Sequence, residues 1–80
     1  MEEKELIARA QKGDQDAFGQ LVLAHQNKVF SLCVHMMGNR EEAEDMAQET
    51  FEKAMKGIVR FKGECDVRTW LFRIAKNSYL

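Results

Sequence analysis

Two groups of side chains in this 80-residue chain have the types and spacing to do chemistry. The first is acidic: Glu41, Glu42, Glu44, Asp45, Glu49 and Glu52 all fall within residues 40–52, where Arg40 is the one cation. Carboxylates accept charge-assisted hydrogen bonds and pair with arginine, so this segment suits a basic partner surface. The second group is basic. Lys53, Lys56, Arg60, Lys62, Arg68, Arg73 and Lys76 outnumber Glu64 and Asp66, and Phe61, Trp70, Phe72 and Asn77 are interleaved among them. A cluster of cations suits an anionic partner surface. A net charge of −1 conceals this segregation, which points to two partner surfaces. Two solvated faces of an ordinary helical domain would have the same composition.

Reaction chemistry has no comparable candidate. His25, Cys33, His35 and Cys65 lack the paired spacing of a zinc site, and two cysteines make no disulfide framework in a cytosolic setting. Cys33 reads as a small buried hydrophobe and Cys65 as a loop thiol. The chain has no nucleophile elbow, no phosphate-cradling glycine loop and no catalytic His–acid arrangement. A binding protein that is not an enzyme, with no metal and no cofactor, is the expectation.

The elements that must hold these groups are helices. Proline is absent, and the five glycines stand at positions 13, 19, 38, 57 and 63. That pattern suits an all-α bundle of four helices joined by short glycine-containing turns. The first helix spans about residues 3–12, turns Leu6, Ile7 and Ala10 inward and stops at Gly13, which can take a positive φ. Asp14 then caps a second helix over 15–37, whose stripe is Phe18, Leu21, Val22, His25, Val29, Leu32, Cys33 and Met36. Placed in that stripe, His25 reads as a half-buried, satisfied histidine.

Gly38 and Asn39 repeat the stop and the cap before a third helix over 40–56, closed by Gly57. At 100° per residue, Ala43, Met46, Ala47, Thr50, Phe51, Ala54 and Ile58 share its inner side. Glu41, Glu44, Asp45, Gln48, Glu49, Glu52, Met55 and Lys56 share the outer one. A connection over 58–65 leads to Asp66, the cap of a last helix starting near Val67. Its inner face carries Val67, Trp70, Leu71, Ile74, Ala75 and Ser78, and its outer face Thr69, Phe72, Arg73, Lys76, Asn77 and Leu80. No stop signal precedes Leu80, so a domain excised from a longer protein is expected.

An apolar fraction of 45% and a charged fraction of 31% suit one small folded domain. The N-terminus MEEKELIARAQKGD contains no signal peptide, and no apolar run is long enough to span a membrane. The expectation is a cytoplasmic protein without membrane insertion.

Three blocks, LIARAQKGDQDAF, GNREEAEDMAQETFEKA and FKGECDVRTWLFRIAKN, occur in this order over nearly the whole chain. Together they closely resemble the first structured domain of extracytoplasmic-function sigma factors, sigma region 2. AEDMAQETF and TWLFRIAKN are the specific signals in combination. One departure stands out: Val67 occupies the position two before Thr69 where the family often has an aromatic, and Cys65 and Asp66 precede it.

The resemblance implies a bacterial transcription initiation domain, residues 1–80, with the −35-binding C-terminal domain absent. It implies docking on the β′ clamp helices of core RNA polymerase through Glu44, Asp45, Gln48, Glu49, Glu52 and Met55. It also implies recognition and melting of the promoter −10 element, with capture of a base flipped from the non-template strand. The corresponding positions are Phe61, Lys62 and Gly63 in the loop, and Phe72, Arg73, Lys76 and Asn77 on the helix. An anti-sigma factor that covers these surfaces is a further implied partner, and the domain itself is expected to be a monomer.

Each role has a competing reading. Phe61 can anchor the loop to the core, and Asn77 can be an idle surface residue; Trp70, on the inner face, reads as core rather than base platform. At the level of the whole chain, the alternatives are an autonomous helix-turn-helix repressor and a purely protein-binding helical module. The repressor leaves the acidic AEDMAQETF face without a task, and the module leaves the basic end without one.

Overall fold

Side-chain oxygens set where three of the α-helices begin. The computed structural model describes the backbone of residues 2–79 and the side chains of residues 2–78. Its elements are α1 (Glu3–Gln11), α2 (Gln15–Met37), α3 (Arg40–Gly57), a 3₁₀ turn (Ile58–Arg60) and α4 (Val67–Tyr79), with no strand among the described residues. Asp14 Oδ1 accepts from the Ala17 N–H at 3.1 Å, Asn39 Oδ1 from Glu42 at 2.9 Å, and Asp66 Oδ1 from Thr69 at 2.8 Å. Each bond satisfies one of the N–H groups that a helix leaves free at its start. Gly13 and Gly38 make the turns between helices at φ of +96° and +77°, backbone angles that a Cβ would strain.

Gly57 ends the α-helical part of α3 by a different device. Its φ is −91°, and the chain tightens into the 3₁₀ turn instead of reversing. The Trp70 ring lies beside Gly57, close enough that a Cβ there would touch it at 3.4 Å.

The core forms around α2, which packs on α1, α3 and α4. One cluster joins Val29, Cys33, Ala43, Met46, Ala54, Val67, Leu71 and Ala75; a smaller one joins Leu6, Ala10, Ala17, Leu21 and Ile58. Ile7, Phe18, Phe61 and Trp70 are partly buried against both and connect them. Ala17, Ala43, Ala54 and Ala75 are fully buried, and their small size lets the helices approach closely. Each large aliphatic side chain taken from water into these clusters contributes about 1.5–3 kcal/mol. The buried Thr50 hydroxyl donates to the Met46 carbonyl at 2.8 Å, so no polar group is stranded there.

Two residues depart from the faces assigned by helical periodicity. Ala17 is fully buried although it lies outside the α2 stripe, because α1 folds back over the first turn of α2. Phe72, assigned to the outer face of α4, is half buried against the larger cluster. A residue on the flank of a helix is drawn inward when its ring is large enough to reach a neighbouring element. His25 is half buried as expected, with Nε2 3.1 Å from Glu3 Oε2, which ties α1 to α2. Among the described residues no helix is long and apolar enough to cross a membrane.

Candidate nucleic-acid and protein interfaces

The acidic surface is built by α3 alone. Glu44, Asp45, Gln48, Glu49, Glu52 and Met55 are all exposed, while Ala43, Met46, Thr50 and Ala54 on the opposite side of the same helix are buried. Local bonds order the outer side chains: Arg40 Nε lies 3.4 Å from Glu44 Oε1, Lys53 Nζ 3.9 Å from Glu49 Oε1, and Gln48 donates to Glu52 at 3.4 Å. Asp45, Gln48, Glu49 and Glu52 line a shallow groove of about 590 Å³ with Met37, Glu42, Met46 and Ser78. Met55 lies outside this groove. It borders an apolar hollow formed with Phe18, Ile58 and Val59, where its side chain remains half exposed.

The basic surface is assembled from the 3₁₀ turn, the following loop and α4. A recess of about 290 Å³ is lined by Arg60, Phe61, Lys62, Glu64, Cys65, Trp70 and Arg73. Of the residues singled out in the sequence, it brings together Phe61, Lys62 and Arg73, adding Arg60 and Trp70 as rim and wall. Gly63 shapes the loop at φ +74°, where a side chain would be strained. Asn77 lies apart, in a groove of about 340 Å³ with Lys53, Gly57, Arg60, Trp70, Ile74 and Ser78. Arg60 and Trp70 border both hollows.

Lys76 is exposed on α4 and lines neither hollow, whereas the half-buried Phe72 is largely committed to the core. Trp70 combines the two readings open to it: it packs on the core and also walls the recess. The same holds for Phe61, which packs on both core clusters and lines the recess.

The two charged surfaces meet edge to edge. Ser78 borders both the acidic and the basic groove, and its hydroxyl accepts from Lys53 Nζ at 2.9 Å. Lys53 thus stands between Glu49 on one side and the groove of Asn77 on the other. Arg60 and Lys53 are not among the site residues read from the sequence, and Trp70 is read there as core. Lys53 and Arg60 lie on other elements, so spacing does not place them beside Asn77, whereas Trp70 stands seven residues before it on the same side of α4. Among the described residues, no group of three His, Cys, Asp or Glu side chains is placed to hold a metal ion.

The structure is a small helical domain with an acidic helix face beside an aromatic-walled basic recess. Residues 21–80 match the sigma-70 region 2 family. The chain is 42% identical over 96% of its length to the RNA polymerase sigma-H factor of Pseudomonas aeruginosa. It is 46% identical over 92% of its length to the extracytoplasmic-function sigma factor SigW of Bacillus subtilis. It spans 40% of the length of each of these relatives.

A solved structure of an engineered region 2 of sigmaE, in complex with GTAAAA, superposes with a TM-score of 0.89 at 38% identity, covering 98% of this chain and 81% of that one. The chain belongs to the sigma-70 region 2 family and is the region 2 domain of an extracytoplasmic-function sigma factor, a transcription initiation factor domain.

Proposed function

We propose that this domain docks on the β′ clamp helices of core RNA polymerase through Glu44, Asp45, Gln48, Glu49, Glu52 and Met55. We further propose that it opens the promoter −10 element and holds its non-template strand. The observation that carries the DNA half is the recess walled by Phe61 and Trp70 and rimmed by Arg60, Lys62 and Arg73. An unstacked base needs an aromatic or apolar wall, and the strand that carries it needs cations for its phosphates. Arg73 and Lys76 serve as phosphate contacts and Asn77 as the reader of a base edge, with Gly63 turning the loop. Phe72 supports the helix that presents them. The exposed carboxylates and Gln48 carry the polymerase half, since they suit arginine-rich recognition without desolvating a charge in the free domain.

The catalytic step of transcription stays with the polymerase, and this domain contributes binding energy. In the whole protein a second domain reads the −35 element, and an anti-sigma factor holds the protein inactive by covering these surfaces. The test is binding of the purified domain to core RNA polymerase, wild type against Gln48→Ala/Glu49→Arg. Micromolar or tighter binding that is lost in the double variant supports the reading. A folded wild-type domain that ignores polymerase but binds duplex DNA points to a repressor. One that binds polymerase without any effect of promoter DNA points to a protein-interaction module.

A further inference from the structure

We infer that Gln11, the last residue of α1, is the positioning residue for the DNA-reading loop. Its half-buried carboxamide reaches across 50 positions of sequence, and Nε2 donates to the Phe61 carbonyl at 2.7 Å and to the Ile58 carbonyl at 3.0 Å. A carboxamide nitrogen has two protons, and this geometry employs both. The two carbonyls bracket the 3₁₀ turn, whose own closing bond runs from the Phe61 N–H to the Ile58 carbonyl at 3.1 Å. The Phe61 carbonyl, just past the turn, accepts from Gln11, and the Ile58 carbonyl accepts from both Gln11 and the Phe61 N–H.

Fixing the Phe61 backbone fixes the direction of its ring, which lies 5.0 Å from the Trp70 ring and lines the recess. The loop is therefore held at both ends: by Gln11 where it leaves the 3₁₀ turn, and by the Asp66 cap where it enters α4. The intervening Lys62 and Gly63 are presented between two fixed points. Residue 11 precedes the segment 21–80 matched by the family, and α1 adds none of the residues lining the recess. The role of α1 is then to carry the clamp for that recess, and Glu3 and His25 hold the same helix against α2.

This inference rests on the proposed DNA reading, and the experiment separates the two. Gln11→Glu keeps the shape but removes both donors at neutral pH, and Gln11→Met keeps the volume without polarity. Each variant is compared with wild type in three measurements: emission of Trp70, the only tryptophan; affinity for the oligonucleotide that wild type selects from a randomised single-stranded DNA pool; and affinity for core RNA polymerase. The expected result is about tenfold weaker oligonucleotide binding and red-shifted emission, from loss of two part-buried hydrogen bonds that hold the turn. Helix content stays intact, and polymerase affinity stays within about twofold.

The emission of Gln11→Glu should return toward wild type on acidification, and above the usual glutamate value of about 4.3, because the two carbonyls facing the carboxyl favour its protonated, donating form. Unshifted emission and unchanged oligonucleotide binding in both variants would overturn the positioning role. So would an equal loss of polymerase binding with reduced helix content, which marks a merely structural glutamine. If wild type selects no oligonucleotide, the DNA reading fails, while a Trp70 shift in the variants still supports the clamp.

Discussion

The Phe61 ring packs against Trp70 with centroids 5.0 Å apart and planes tilted by 46°. The pair lies where the two core clusters meet and where the basic recess opens, so one contact serves both packing and presentation. A base entering the recess would find an aromatic wall that the core already holds in place. That preorganisation lowers the entropy cost of binding a flexible single strand.

Replacing Phe61 with alanine should therefore cost stability and DNA binding together. The half-buried ring and its aromatic partner contribute about 2 kcal/mol, less than the loss of a fully buried phenylalanine because part of the ring stays in water. Phe61→Leu should restore most of the stability but little of the stacking. Urea unfolding and oligonucleotide titration of the two variants check this. Full binding by Phe61→Ala would leave Phe61 as a packing residue alone.

The salt dependence of single-stranded DNA binding distinguishes phosphate contacts from base reading. Arg73→Ala and Lys76→Ala should each lower the slope of log affinity against log salt by about 0.7. Asn77→Ala should leave the slope unchanged and relax base preference at one position, because its amide carries no charge. Titrations at several salt concentrations with oligonucleotides altered one base at a time check both statements. An unchanged slope in Arg73→Ala would remove that residue from the phosphate contacts.

Acid stability should depend on two helix caps. The Ala17 N–H holds the Asp14 carboxyl below the usual aspartate range, with Arg9 assisting at 2.9 Å. The Thr69 N–H does the same for Asp66, aided by the Thr69 side chain and the charges of Arg68 and His25. Both groups bind protons more weakly in the folded than in the unfolded chain. Their stabilisation is thus complete above the unfolded aspartate value of about 3.9 and is lost as pH falls through the folded values. Asp14→Asn/Asp66→Asn keeps the acceptor oxygens and should flatten the fall in stability below about pH 4. Denaturation midpoints measured across the acid range test this, and an unchanged profile would place the acid-sensitive groups elsewhere.

The two thiols should react at very different rates. Cys33 is fully buried, and burial pushes its thiol pKa upward, which suppresses the reactive thiolate. Cys65 is partly exposed in the loop, beside Arg73 at 3.9 Å. Alkylation of the native protein should modify Cys65 alone, with the second label added only on unfolding. Cys33→Ser should cost about 1–3 kcal/mol, the penalty for a buried hydroxyl without a good partner. Mass spectrometry of timed alkylation and urea unfolding of the variant check the two halves.

Much of the bundle is legible in the residues themselves. Asp14, Asn39 and Asp66 are the caps that their side chains suit, and Gly13 and Gly38 take the positive φ that only glycine adopts freely. The split of α3 into a carboxylate face and a buried Ala43–Met46–Thr50–Ala54 face follows from the 100° step of the helix. These are local properties, fixed by covalent geometry and by neighbours a few residues away.

Contacts between distant segments were decided only by the tertiary structure. Periodicity placed Phe72 outside, yet packing drew its ring against the core, and Ala17 is buried only because α1 covers it. Lys53 and Arg60 join Asn77 in one groove, and Gln11 reaches the carbonyls of Ile58 and Phe61, across separations that no spacing rule encodes. A helix's own repeat determines which side chains share a face. Which face meets which, and therefore which residues form a site, is determined by how several helices share one core.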